Sequence, residues 1–358
     1  MQINLGKPQV GLTELMAVSK VLRSKNLSQG DEVRGFELEF SKIVGERNCV
    51  AVNSGTSALH LAITSLGIGP GDQVILPSFT FAATANSVRL AGAEPIFVDI
   101  DYKSFNIDPD LITNAITKKT RAIIVVHLYG LPANMDKILQ ISARYKLLVI
   151  EDSAQAHLAQ IGNRQVGTFG NAAAFSFYAT KNMTTAEGGM VVFEADADAK
   201  YARMLRNQGM ERRYENEIVG FNLRMTEIQA AIGRVQLKKL PRWTDMRINN
   251  ANYFDGNLQG YVDVPSVPVN FKHVYHQYTI KVPAEKRTKL MNKLNSNGIQ
   301  TGIYYPNPVH TLKPFLNQKF ELPITTLSAS QVLSIPIHPK LNKRQLRYMV
   351  KKIIEGVS

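Results

Sequence analysis

Apolar positions recur at helical spacing from Glu14 to Arg23, where Leu15, Val18, Val21 and Leu22 follow a 3.6-residue period, and again over Val33–Ile43. Ser28-Gln29-Gly30 separates these two predicted helices. The pattern then changes to short apolar runs. It predicts strands at Asn48–Asn53, Gln73–Pro77, Glu94–Val98, Arg121–Val126, Lys146–Ile150, Ala172–Phe177 and Gly189–Phe193. Amphipathic stretches at Ala58–Leu66, Ala82–Ala91, Pro109–Ile116 and Ala133–Tyr145 fall between them as helices. Such alternation implies parallel pairing and a mostly parallel α/β sheet, whose active site lies at the carboxyl ends of the strands.

Beyond this region the pattern loosens. Thr226–Asn257 reads as one long helix interrupted at Pro241, because proline removes a backbone donor and clashes with the preceding turn. A strand at His276–Val282, a helix at Glu285–Ser296 closed by Asn297-Gly298, a strand at Ile299–Tyr305, an extended Ser334–Ile337 and a helix at Lys343–Glu355 complete a smaller α/β unit. The expected division is a large domain over residues 1–240 and a small C-terminal domain over 241–358.

Composition narrows the function classes. The formal charge is +13, with Lys238–Arg247 and Lys340–Lys352 notably basic. That excess is either a solvated face or an attraction for a phosphorylated substrate. No nucleic-acid motif and no interleaving of aromatic and basic residues accompanies it, so no nucleic-acid partner is expected. The single cysteine, Cys49, excludes an intrachain disulfide and a multi-cysteine metal site, and no histidine cluster has metal-ligand spacing. There is no apolar run of about 18 residues, and the N-terminus lacks the basic-then-apolar layout of a signal peptide. A cytoplasmic protein with no membrane partner and no metal is expected.

Four segments carry candidate chemistry. Asn53-Ser54-Gly55-Thr56-Ser57-Ala58 joins a strand to a helix start, which either receives an anion or is simply capped by Ser57 or Thr56. Glu151 and Asp152 end a very apolar strand; a carboxylate there can pair with a protonated ring nitrogen, bind Mg²⁺ or cap a helix. Phe175–Lys181 delivers a lysine from a buried strand into a polar turn, where desolvation makes an amine nucleophilic. The alternative is a surface loop lysine. Gly220–Ala231 is a helix start with Thr226 near the cap. His127 and His157, near strand ends, read as structural histidines.

An anion site, an acid at a strand end and a loop lysine, in that order, resemble an aspartate-aminotransferase-like enzyme of pyridoxal-phosphate fold type I. More closely, the chain resembles the DegT/DnrJ family of nucleotide-sugar aminotransferases over nearly its whole length. The resemblance runs from Asn26–Gly30 to Val332–Pro339, and its strongest matches are Asn53–Leu59, Pro77–Thr84, Glu151–His157, Phe175–Gly189 and Asn222–Gln236. The resemblance implies pyridoxal 5'-phosphate as cofactor and amino transfer from glutamate to a keto-sugar. It implies that Lys181 holds the cofactor and shuttles protons, while Asp152 keeps the ring nitrogen protonated. Phe81 would stack on the ring and Gln155 would bond its hydroxyl. Gly55, Thr56, Ser57 and Ser176 would cradle the phosphate. Asn222 would reach the phosphate of a neighbouring subunit, which implies a homodimer with shared sites. Tyr304, Tyr305 and His310 fall in the segment that lines the sugar-nucleotide cleft. Arg212, with Arg213 and Tyr214, lies in a variable stretch and either grips the diphosphate bidentately or is a solvated loop residue.

Two rivals share the fold. A keto-sugar dehydratase would carry a histidine where Lys181 stands. A non-catalytic regulatory protein would be expected to have lost the lysine or the acid, and both are present.

Overall fold

The computed structural model describes residues 1–316 and 319–357. Seven strands form the central sheet: β1 (Asn48–Val52), β2 (Gln73–Pro77), β3 (Glu94–Val98), β4 (Thr120–Val126), β5 (Leu148–Asp152), β6 (Ala172–Ser176) and β7 (Gly189–Phe193). Their order is β1-β7-β6-β5-β4-β2-β3. The run from β6 to β3 is parallel, and β7 lies antiparallel between β6 and β1. The reversal has a local cause: β6 and β7 are joined by a loop without a crossover helix, and only an antiparallel partner can be reached that way. That loop carries Lys181.

Side chains alternate across the sheet with the two-residue period of a strand. Val74, Leu76, Ala122, Ile124 and Ile150 face one core, while Ile75, Ile123, Val125 and Val149 face another. The first core is closed by α3 (Gly55–Ser65), α4 (Ala82–Leu90) and α7 (Asp196–Arg206). The other face is covered by α2 (Asp31–Ser41), α6 (Met135–Tyr145) and α8 (Glu227–Leu258). Preceding these, α1 (Leu12–Ser24) packs on α8; the short α5 is Pro109–Ile112. The α2 N-terminus begins at Gly30, which has no capping side chain. Glu227 of α8 takes that role, accepting the N–H groups of Gly30, Glu32 and Val33 at 2.8–2.9 Å.

The C-terminal region adds α9 (Ala284–Ser296), α10 (Pro323–Gln331), α11 (Lys343–Val357) and the antiparallel pair β8 (Tyr278–Lys281) and β9 (Val332–Ile335). It has its own core, with Phe254, Tyr278, Leu290, Leu333 and Met349. Two expectations are corrected here. First, α8 runs unbroken through Pro241, because packing against α1, α2 and α11 along its length outweighs one missing hydrogen bond. The expected division at residue 240 therefore falls inside a helix that contributes to both units. Second, Ile299–Tyr305 forms no strand. It makes only single bridges, Ile299 to Ile3 and Gly302 to Ser334, before its two tyrosines turn into a cavity. Among the described residues, no helix is long and apolar enough to cross a membrane, and no cluster of metal-ligating side chains occurs.

Candidate active site

The carboxyl ends of β1, β2, β4, β5 and β6 converge on a cavity of about 460 Å³, closed on the far side by residues 276–277 and 304–305. Its volume suits a small organic ligand.

One end is built by β1 and α3. Ser54 caps the helix, its Oγ accepting the Ser57 N–H at 3.1 Å, and the Ser57 hydroxyl donates to Asn53 Oδ1 at 2.6 Å. The cap is therefore Ser54, not Ser57 or Thr56 as expected. Ser57 is spent within the cap and does not line the cavity. Gly55, Thr56 and Ser176 do. A Cβ on Gly55 would stand 2.7 Å from Ser176 Cβ, so only glycine lets the α3 start and the β6 end meet. The free N–H groups and dipole of α3, flanked by two hydroxyls, favour an anion there.

Asp152 ends β5 and is buried. Its Oδ2 accepts from Thr84 Oγ1 at 2.7 Å and its Oδ1 from the Ala154 N–H at 3.2 Å. Burial pushes the carboxyl above its ordinary range, while Thr84, Ala154 and the Lys181 charge pull it down. Lys181 lies opposite in the β6–β7 loop. Burial lowers its ammonium to about 8, with Asp152 opposing. Phe81, at the start of α4, leaves 59% of its surface open beside the cavity, a large apolar face that a bound ring would cover.

Glu151 points the other way from Asp152, as strand alternation requires. It accepts from His127 Nε2 at 3.1 Å and from the N–H groups of Gly167, Phe169 and Gly170 at 2.7–2.8 Å. Burial favours its neutral form, but these donors win and hold it below its ordinary value. His127 Nδ1 accepts the Ala133 N–H, so the proton sits on Nε2. His157 is fully buried against Phe175 and Phe177, and burial pushes it down to about 3. His127 is hydrogen-bonded within the fold, as expected, whereas His157 is held by aromatic packing, and neither histidine lines the cavity.

The cavity thus gathers Gly55, Thr56, Phe81, Asp152, Gln155, Ser176, Lys181, Tyr304 and Tyr305. Asn222, Arg212 and His310 lie outside it. Asn222 is exposed and accepts from Arg224 Nε at 3.1 Å. Arg212 sits in an exposed hairpin, Met210–Arg212 with Glu215–Asn216. His310 Nδ1 pairs with the Ser78 hydroxyl at 2.7 Å.

Sequence reasoning missed Thr84 and His276. Thr84 lay inside a matched segment but carried no sign that its hydroxyl would reach Asp152. His276 is a lone histidine at the edge of a predicted strand. Asn182 Nδ2 donates to Val274 O at 3.2 Å, which turns Asn182 Oδ1 toward His276 Nδ1 at 3.3 Å. The His276 proton is therefore on Nδ1. Burial, with Lys181 and Arg247 nearby, holds the ring neutral.

A desolvated amine, a buried acid, an anion cradle and an open aromatic face fit the cofactor that the resemblance implies. The sequence profile of the DegT/DnrJ/EryC1/StrS aminotransferase family matches residues 8–354. The chain is 39% identical to the "Pleiotropic regulatory protein" of Geobacillus stearothermophilus, over 98% of this chain and 94% of that one. It is 40% identical to the UDP-N-acetyl-3-dehydro-alpha-D-glucosamine 3-aminotransferase of Acidithiobacillus ferrooxidans, over 93% and 90%. The crystal structure of NtdA from Bacillus subtilis with bound cofactor PMP superposes with a TM-score of 0.91 at 33% identity, covering 96% of this chain and 81% of that one.

Proposed function

The chain belongs to the DegT/DnrJ/EryC1/StrS aminotransferase family, and from that premise we propose that it moves an amino group from glutamate to the keto carbon of a nucleotide-diphosphate sugar, using pyridoxal 5'-phosphate. The observation that carries this reading is the single cavity in which Lys181, Asp152 and the Gly55–Thr56–Ser176 cradle meet.

When bound, the cofactor supplies a carbonyl carbon for the amino group and a ring that accepts the electron pair freed by proton removal. The protein's residues do the rest. Gly55, Thr56 and Ser176 would hold the phosphate. Lys181 Nζ would hold the cofactor, and its lowered pKa suits it to take and return a proton near neutral pH. Asp152 would keep the ring nitrogen protonated, which requires its own carboxyl to be ionised; Thr84 and Ala154 favour that form. Phe81 would cover one ring face and exclude water. The sugar diphosphate is an anion, and the +13 chain attracts it.

We further propose a homodimer with shared sites. Asn222 and Arg212 lie outside this chain's own cavity, next to a stretch where Tyr214, Val219 and Phe221 expose 79%, 91% and 39% of their surface. A second copy would cover that apolar patch and receive Asn222 at its phosphate and Arg212 at the diphosphate.

The test is the visible absorption of the purified protein with pyridoxal phosphate, before and after glutamate. A yellow band that bleaches with glutamate is expected. A band indifferent to glutamate would reject it as donor. Absence of any band would overturn the enzymatic reading and favour a regulatory protein.

A further inference from the structure

Gln155 is held at both ends of its amide. The Tyr129 N–H donates to Oε1 at 2.8 Å, and Nε2 donates to the Tyr305 hydroxyl at 3.0 Å. The backbone donor decides which end of the amide is oxygen, so the NH₂ must face Tyr305. That group carries two hydrogens. Tyr305 takes one, and the other has no protein partner among the described residues, although Gln155 lines the cavity.

The circuit closes on itself. Tyr129 also donates its hydroxyl to the carbonyl of Tyr304. One residue therefore holds Gln155 through its N–H and the segment carrying Tyr305 through its side chain. Tyr129 does so with φ at 58°, a left-handed conformation that a non-glycine residue adopts at a cost. The Tyr305 ring lies beside Phe81, with centroids 5.8 Å apart.

We infer that Tyr305 is a positioning residue for Gln155: its hydroxyl fixes the amide so that the second N–H is presented to the cofactor's ring oxygen. It thereby ties the substrate-side segment at 304–310 to the cofactor. This rests on the reading of Gln155 as a ligand of that oxygen. It also reassigns Tyr305, which sequence resemblance placed on the sugar-nucleotide side.

The test is a double-mutant cycle read by pyridoxal-phosphate titration and by the position of the visible band. It uses the unaltered protein, Tyr305→Phe, Gln155→Ala and the double variant. Phenylalanine keeps the ring, so folding is expected to hold, which circular dichroism checks. Tyr305→Phe is expected to raise the dissociation constant about fivefold, as for one lost hydrogen bond, and to shift the band. In the Gln155→Ala background the same change should do neither, because its effect runs through Gln155. Equal effects in both backgrounds overturn the inference. So does a Tyr305→Phe variant that raises only the KM for the sugar. If the unaltered protein forms no band with pyridoxal phosphate, the functional reading itself fails, and this assignment with it.

Discussion

The Thr84 hydroxyl, in the first turn of α4, donates to Asp152 Oδ2 at 2.7 Å across the gap between α4 and the end of β5. Both residues are buried, so the bond acts where water cannot replace it. Thr84→Val removes the donor and keeps the shape. Burial then pushes the Asp152 carboxyl up with less opposition. At any given pH less of it is ionised, and the ring nitrogen loses its partner. The affinity for pyridoxal phosphate should fall about tenfold or more, most steeply toward acidic pH. Titration of the visible band between pH 6 and pH 8 checks this. Unchanged affinity across that range removes Thr84 from the role.

Lys181 should capture the cofactor with a pH dependence set by its own titration. Its ammonium is lowered to about 8 by burial, and only the neutral amine attacks a carbonyl. The rate of band formation should therefore fall about tenfold per pH unit below 8 and level off above it. Stopped-flow mixing of cofactor-free protein with pyridoxal phosphate measures the profile. Lys181→Ala should show no band and no transamination while unfolding like the parent. A midpoint near the ordinary lysine value would show that the site does not desolvate this amine.

Much of the fold was legible because strand and helix periods differ. The runs at Gln73–Pro77, Glu94–Val98 and Gly189–Phe193 emerged with the bounds the apolar pattern suggested. What failed were elements decided by distant partners. α7 is polar in composition and buries only a narrow stripe, and it went unpredicted. Ile299–Tyr305 has strand-forming residues but no neighbour to pair with along its length. In the site, Lys181, Asp152 and Gln155 were legible as residue types in a matched order. The contacts that tune them were not. Thr84 reaches Asp152 across 68 positions and Tyr305 reaches Gln155 across 150, and no local pattern encodes such pairings.

Pro241 gives a test of tertiary override. It is exposed and lies inside α8. Having no N–H, it leaves the Leu237 carbonyl without its helical donor. Pro241→Ala restores that donor and a residue of high helix propensity. It should stabilise the protein by up to about 3 kcal/mol, read as a higher urea midpoint with an unchanged slope. Loss of stability would mean that the packing of α1 and α11 on this helix depends on a bend at the proline.

Glu151 carries the last prediction. It sits behind Asp152 and joins three segments: His127 after β4, the Gly167–Gly170 turn and β5 itself. Glu151→Gln keeps the shape but substitutes an NH₂ for one acceptor oxygen. That group then faces N–H donors, and buried donors are left unpaired. The cost should be about 3–5 kcal/mol at pH 7. The sign of its pH dependence follows from the direction of the shift. Burial raises the carboxyl, but His127 and the backbone donors outweigh it, so the folded value lies below the ordinary 4.5. The ion's stabilisation is therefore complete above about 4.5 and is lost as pH falls through the folded value. The gap between parent and Glu151→Gln should stay constant above that point and narrow on acidification. Urea unfolding of both proteins from pH 7 down to pH 3 measures it. A gap that widens on acidification would mean that the folded Glu151 carboxyl is raised rather than lowered, and that His127 bonds it as a carboxylic acid.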